Sequence, residues 1–166
     1  RVQPAQEMEA DKTSSVLNAR GKLLTVKKGK VYLETEKRKN WKRKAFKGIS
    51  GDIEYAALSS DEKYVVFTRL EAGKSVIYSG KRTGKSISGI QKLPTDVNDG
   101  SNNQTPYLHG SSLYFSSDRN GNYDLFVATL NMEDQNVEKL EELRRVNSDK
   151  DDISPYLDPE SKTFYF

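Results

Sequence analysis

Two stretches of this chain repeat each other. Thr105-Pro106-Tyr107-Leu108, followed by Leu113-Tyr114-Phe115, returns as Ser154-Pro155-Tyr156-Leu157, followed by Phe164-Tyr165-Phe166. Recurrence at a period of about 40 to 50 residues marks a repeat architecture, in which each unit buries its apolar face against its neighbours. Two fainter copies lie upstream. Leu58 precedes Phe67 by nine positions across Ser59-Ser60-Asp61-Glu62-Lys63, and Leu17 precedes Val26 by nine across Asn18-Ala19-Arg20-Gly21-Lys22, the spacing of Leu157 to Phe166. Leu108 to Phe115 is two shorter, because His109-Gly110 replaces a longer turn.

Each unit divides into short β-rich segments separated by turn chemistry. The third unit predicts strands over 104–108, 112–117, 124–129 and 137–146. The second predicts them over 53–58, 64–70, 75–79 and 86–93, and the first over 16–17, 23–26, 31–34 and 41–49. Four antiparallel strands per repeat describe a β-propeller blade whose innermost strand lines the channel. The chain is therefore expected to be all-β, a partial propeller of about three blades plus the start of a fourth. Its blades are expected at 14–50, 51–97, 98–148 and 149–166, behind a flexible tail over 1–13. A β-sandwich also places turns every 8 to 12 residues, but has no reason to restate Ser/Thr-Pro-Tyr-Leu. The segment 132–146 has good helix formers, with Leu140 and Leu143 at i and i+3, so a helical turn competes there with an outer strand near 137–143.

Mean hydropathy of −0.81 with 31% charged residues leaves little apolar material for layered helices, whereas nine Tyr and six Phe favour strands. No run approaches the roughly 20 apolar residues of a membrane-spanning helix. Without cysteine there is neither a disulfide framework nor a thiolate metal site. The net charge of +3 conceals an asymmetry: residues 20–47 hold twelve Lys or Arg against Glu34 and Glu36, and the remaining 15 basic residues face 22 acidic ones. A basic segment is attached to a mildly acidic remainder.

Beyond the repeat, Ser116-Ser117-Asp118-Arg119, Gly121, Asp124-Leu125-Phe126 and Asp152-Ile153-Ser154-Pro155-Tyr156-Leu157-Asp158-Pro159-Glu160-Ser161-Lys162 resemble the WD-repeat-like blade of the TolB type. That pattern runs S/T-P-x-x-S-P-D-G-K-x-(I/L)-x-F-S-S-D-R-x-G-x-x-D-(I/L)-(Y/F). The likeness is specific in the second half, departs at Ser59-Ser60-Asp61-Glu62, and is degenerate over 14–50. The wording also resembles propellers of Bacteroidetes-like envelope proteins, where such blades accompany tetratricopeptide repeats and an OmpA-like peptidoglycan-binding domain. The resemblance implies a non-catalytic protein-interaction scaffold in the periplasm, associated with the outer membrane, and no cofactor. Such propellers close with six to eight blades, so the remaining blades are expected in sequence outside these residues or in another chain.

Four motifs have chemical readings to weigh. Asp118, Asn120, Asn122 and Asp124 space oxygen ligands like a calcium loop, but no bidentate Glu follows, and Asn120-Gly121 equally makes a hairpin turn. Lys37, Arg38, Lys39, Trp41, Lys42, Arg43, Lys44 and Lys47 form a basic run around aromatics, a candidate surface for protein partners, an acidic polymer or lipid headgroups, with nucleic acid less favoured. The plainer reading is a solvated edge strand whose lysines block edge-to-edge pairing. Gly80-Lys81-Arg82-Thr83-Gly84-Lys85-Ser86 imitates a phosphate loop with one residue too few between its glycines and strands on both sides, so it is expected to be a turn.

His109 is the only histidine, and no G-x-S-x-G elbow accompanies it. The alternative to a scaffold is a propeller that gates a serine hydrolase domain lying outside this sequence. Channel chemistry on sugars would fall to Glu54, Tyr55, Tyr107 and Tyr156, which are expected to pack instead.

Overall fold

The computed structural model describes residues 13–166, apart from positions 19 and 39; Lys39 of the basic run and the first twelve residues of the expected tail lie outside that set. Every regular element described is a strand. β1 (Thr13–Leu17), β2 (Leu23–Lys27), β3 (Lys30–Lys37) and β4 (Asn40–Ala45) form one antiparallel sheet in sequential order. β5 (Ile53–Leu58), β6 (Tyr64–Glu71), β7 (Lys74–Thr83) and β8 (Ser86–Lys92) form a second. β9 (Asn103–His109), β10 (Ser112–Ser117), β11 (Asp124–Asn131) and β12 (Asn136–Glu142) form a third, and β13 (Tyr156–Leu157) pairs with β14 (Phe164–Tyr165). The first strands of the three full sheets lie side by side, as the inner strands of successive propeller blades do. Among the described residues the blades make an open arc, and no ring closes.

Local chemistry sets the hairpins. Lys28-Gly29 and Ala72-Gly73 both have positive φ at each residue (51° and 71°, 46° and 78°), the backbone of a two-residue turn whose twist matches its strands. The segment expected to hesitate between helix and strand is β12. Val137 and Leu140 pack against the core beneath the third sheet, and pairing to β11 overrides the helical propensity of its glutamates.

Two apolar layers join the blades, and β6 shows how one strand feeds both. Successive side chains point to opposite faces, so Val65 and Phe67 enter the core between the first two sheets while Val66 enters the core between the second and third. On the face towards the preceding blade stand Leu58, Val65 and Phe67 in the second sheet and Leu108, Leu113 and Phe115 in the third. In the first sheet that face carries Leu17, Leu23 and Thr25. The nine-residue offset from Leu17 to Val26 is thus corrected by one. Leu17 pairs with Leu23 whereas Leu58 pairs with Val65, so the first turn is a residue shorter and Val26 falls on the opposite face, in the core towards the second sheet.

The fourth unit completes the pattern through its aromatics. Tyr107 stacks edge-on to Tyr156 at 5.1 Å between centroids, and Tyr114 meets Phe164 at 5.4 Å. The Tyr107 hydroxyl donates to the Leu157 carbonyl at 2.8 Å, which satisfies a phenol whose residue is only 1% exposed.

Candidate functional site

β4 is the last strand of its sheet, and all six of its residues are exposed. Register places its side chains on two faces. Lys42 lies opposite Thr35 and Lys44 opposite Leu33 on one face, while Trp41 opposite Glu36 and Arg43 opposite Glu34 occupy the other. Arg43 is neutralised by Glu34 at 2.7 Å and lies over the Tyr32 ring at 5.0 Å. Lys42 and Lys44 have no carboxylate partner among the described residues. Trp41 is 57% exposed, more than any other large apolar residue described. Arg38 sits exposed in the β3–β4 turn with φ 51°, and Lys37 ends β3. Lys47 stands apart from the run: its backbone bridges to the second blade, donating to the Lys85 carbonyl at 2.7 Å and accepting from the Ile87 N–H at 2.8 Å.

In the turn over 118–124 the carboxylates meet donors. Asp118 accepts the Asn102 backbone N–H and side-chain amide, each at 2.8 Å. Asp124 is buried and accepts the amides of Asn120 and Asn122 at 3.4 and 3.5 Å. Asn122 also donates to the Lys150 carbonyl at 2.7 Å, so the loop ties the third blade to the fourth unit. Gly121, at φ 115°, closes it by donating to the Asp118 carbonyl at 3.0 Å. Among the described residues no group of three His, Cys, Asp or Glu is placed to hold a metal ion.

Arg119 of the same motif works as a clamp. Its guanidinium lies 4.6 Å from the Phe126 centroid and donates to the carbonyls of Asp96 and Val97 at 3.0 and 2.7 Å and to the Asn103 side chain at 3.0 Å. Burial lowers its pKa from the usual arginine value, against the opposing pull of Asp99.

The inner strands line an open, mainly apolar hollow of ≈ 30 Å³ formed by parts of β1, Tyr55, Thr105-Pro106 and Ser154-Pro155-Tyr156. Among the described residues no carboxylate lines it. Glu54 instead accepts the Ser75 hydroxyl at 2.6 Å, and Tyr107 is buried beneath the fourth unit, so the two-carboxylate geometry of glycoside hydrolysis is not assembled from these residues. Gly80 to Thr83 belong to β7, and only Gly84-Lys85 make the turn into β8; the phosphate-loop lookalike is a strand end and a turn. His109 ends β9 before the two-residue Gly110-Ser111 turn, and its Nδ1 has no hydrogen-bond partner among the described residues.

Other polar residues were not singled out from sequence. Asn98 accepts the Ile77 N–H at 2.9 Å and donates to the carbonyls of Ile77 and Leu93 at 2.8 and 2.9 Å. Asn147 does the same work one blade later, accepting from the Leu125 N–H at 2.8 Å and donating to its carbonyl at 3.2 Å. The signal was present: both follow Val, in Val97-Asn98 and Val146-Asn147, at the offset that separates Thr105 from Ser154. On the outer rim, Tyr64 donates to Glu133 at 2.7 Å while Lys81 pairs with the same carboxylate at 3.0 Å. That hydrogen bond raises the Tyr64 pKa to about 12.

Comparison with solved structures finds the crystal structure of TolB from Acinetobacter baumannii, with a TM-score of 0.59 and 16% sequence identity over 98% of this chain. A putative TolB from Agrobacterium tumefaciens follows at a TM-score of 0.48 and 16% identity over 88% of the chain and 65% of its own. The chain spans 37% of the Acinetobacter protein. Comparison with protein-family models and with curated protein sequences gives no match. The fold is that of the TolB-type β-propeller: the repeat predicted a propeller, and the resemblance of its blade motif implied the type.

Proposed function

We propose that this chain is part of a non-catalytic, protein-binding propeller in a bacterial cell envelope, on the periplasmic side and in an assembly associated with the outer membrane. The observation that carries the reading is the division of labour among its polar groups. Those that are buried or half-buried (Thr105, Asn98, Asn147, Asp124) hold blades, linkers and turns together, while the exposed ones gather on the outer strands β4, β8 and β12 and in the turns. A rigid scaffold presenting variable edges suits binding. The fold likeness to TolB supports envelope placement by analogy only. Among the described residues no helix is long and apolar enough to cross a membrane, and no constellation favours the hydrolase-gating alternative.

The test is fractionation of native cells combined with photo-cross-linking from positions on β4, the 118–124 turn and the inner hollow. Recovery with the periplasm or outer membrane, together with cross-links to one or a few proteins, is the expected result. A cytoplasmic location, or turnover of a small substrate by the purified full-length protein, would overturn it.

A further inference from the structure

We propose that β4 is an addition site for an acidic, extended segment of a partner protein, taken up as a fifth strand of the first blade. The inference deepens the protein-binding reading and rests on it. Three strands end the full sheets: β4, β8 and β12. The outer edge of β8 is engaged at its start, where the Ile87 N–H bonds the Lys47 carbonyl, and its one lysine, Lys92, already pairs with Glu71 at 3.6 Å. β12 carries charges that pair locally, Lys139 with Glu141 at 2.9 Å and Arg144, just beyond the strand, with Glu142 at 3.1 Å. On β4 alone, two like charges, Lys42 and Lys44, stand on one face of a strand exposed along its length without a carboxylate partner among the described residues.

An edge lysine repels ordinary strand pairing because an incoming neutral strand would desolvate its charge. An acidic strand reverses that sign. Residues two apart on a strand are roughly 7 Å apart, so carboxylates at alternate positions of the incoming segment meet Lys42 and Lys44 together. The side chain between them falls opposite Arg43, which Glu34 already neutralises, and beside the exposed Trp41 indole, a place for an apolar residue. The recognised pattern is acidic, apolar, acidic, with main-chain hydrogen bonds supplying affinity and the lysines supplying selection.

The face assignment separates this partner from the two other anionic classes. Headgroup binding and base stacking both need the aromatic ring and the cations on one surface, whereas Trp41 and the two lysines project from opposite faces of the sheet.

Trp41 is the only tryptophan in the chain, so its fluorescence reports the site directly. The full-length protein is titrated with a heptapeptide carrying glutamate at alternate positions and valine or threonine between, with the same peptide carrying lysine for glutamate, and with phosphatidylcholine vesicles containing phosphatidylglycerol. The expected result is a saturable change in Trp41 emission with the acidic peptide alone, slowed amide exchange along β4, and weaker binding as salt rises. Lys42→Glu with Lys44→Glu should weaken it about tenfold or more, given the usual worth of cross-strand charge pairs, and Lys74→Glu should leave it unchanged. Circular dichroism confirms that each variant is folded; should the double reversal unfold the chain, Lys42→Gln with Lys44→Gln replaces it.

Binding to vesicles but not peptide, binding indifferent to both lysine variants, or no protection of β4 overturns the proposal. So does concentration-dependent self-association that the same variants abolish, which would make a second copy the occupant. Cellular cross-links that capture a protein elsewhere on the propeller but never from β4 overturn it too, while leaving the protein-binding reading intact.

Discussion

At Tyr64 a single hydrogen bond sets a titration. The phenol donates to Glu133, and the protonated form is thereby favoured, so its folded pKa of about 12 stands above the ordinary 10.0. A pKa raised on folding contributes stability that is complete below pH 10 and disappears as pH rises towards 12. Glu133 shifts the other way, held below its ordinary 4.5 first by the Tyr64 hydroxyl and then by Lys81, so its contribution is present above that value and disappears as pH falls through the lowered one. Ring-carbon NMR should place Tyr64 near 12, and Glu133→Gln should return it towards 10.0; an unmoved titration would remove Glu133 as the cause.

Thr105 is a β-branched residue at φ 49°, a conformation that costs of order 1–3 kcal/mol. Its hydroxyl hydrogen-bonds Ser116 at 2.7 Å and accepts the Ser154 N–H at 3.3 Å. Thr105→Val keeps the shape and removes both bonds. It should cost about 1–3 kcal/mol in urea unfolding, and a change within error would show that the hydroxyl is dispensable.

Among elements, the linkers that carry the chain from one blade's outer strand to the next blade's inner strand are the most exacting. Asn98 offers two donations and one acceptance to main-chain groups of the β7 edge and the linker. Asn98→Asp preserves size and acceptor but removes both donors, so it should destabilise by about 1–3 kcal/mol, as should Asn98→Ala. An aspartate variant as stable as the parent would contradict the donor role. Gly48 is fixed by approach rather than by freedom alone: at φ 93° an added Cβ would stand 2.1 Å from the Ile87 carbonyl oxygen. Gly48→Ala should loosen the bridge between the first and second blades, visible as faster exchange at Ile87.

For the molecule as a whole, the two apolar layers share β5, β6 and β7 but no residue. Stability in such repeats is close to a sum of units and nearest-neighbour interfaces. Leu24, 1% exposed in the first layer, should cost about 2–5 kcal/mol when cut to Ala. Exchange should then quicken in β1 to β4 and change less in β9 to β12. Uniform quickening would mean one cooperative unit instead.

The repeat itself determined that this chain is built of four-strand units and roughly where their strands and turns fall, because strand alternation and turn chemistry act over a few residues. The turn chemistry of the sequence also marked the 118–124 loop, and its charge distribution the basic run, without deciding what either does. The face on which Val26 lies, the pairing of Arg43 with Glu34 that leaves Lys42 and Lys44 over, and the separation of Trp41 from those lysines were decided only by tertiary structure. Each depends on register across strands, where a turn one residue shorter sends every following side chain to the other side of the sheet.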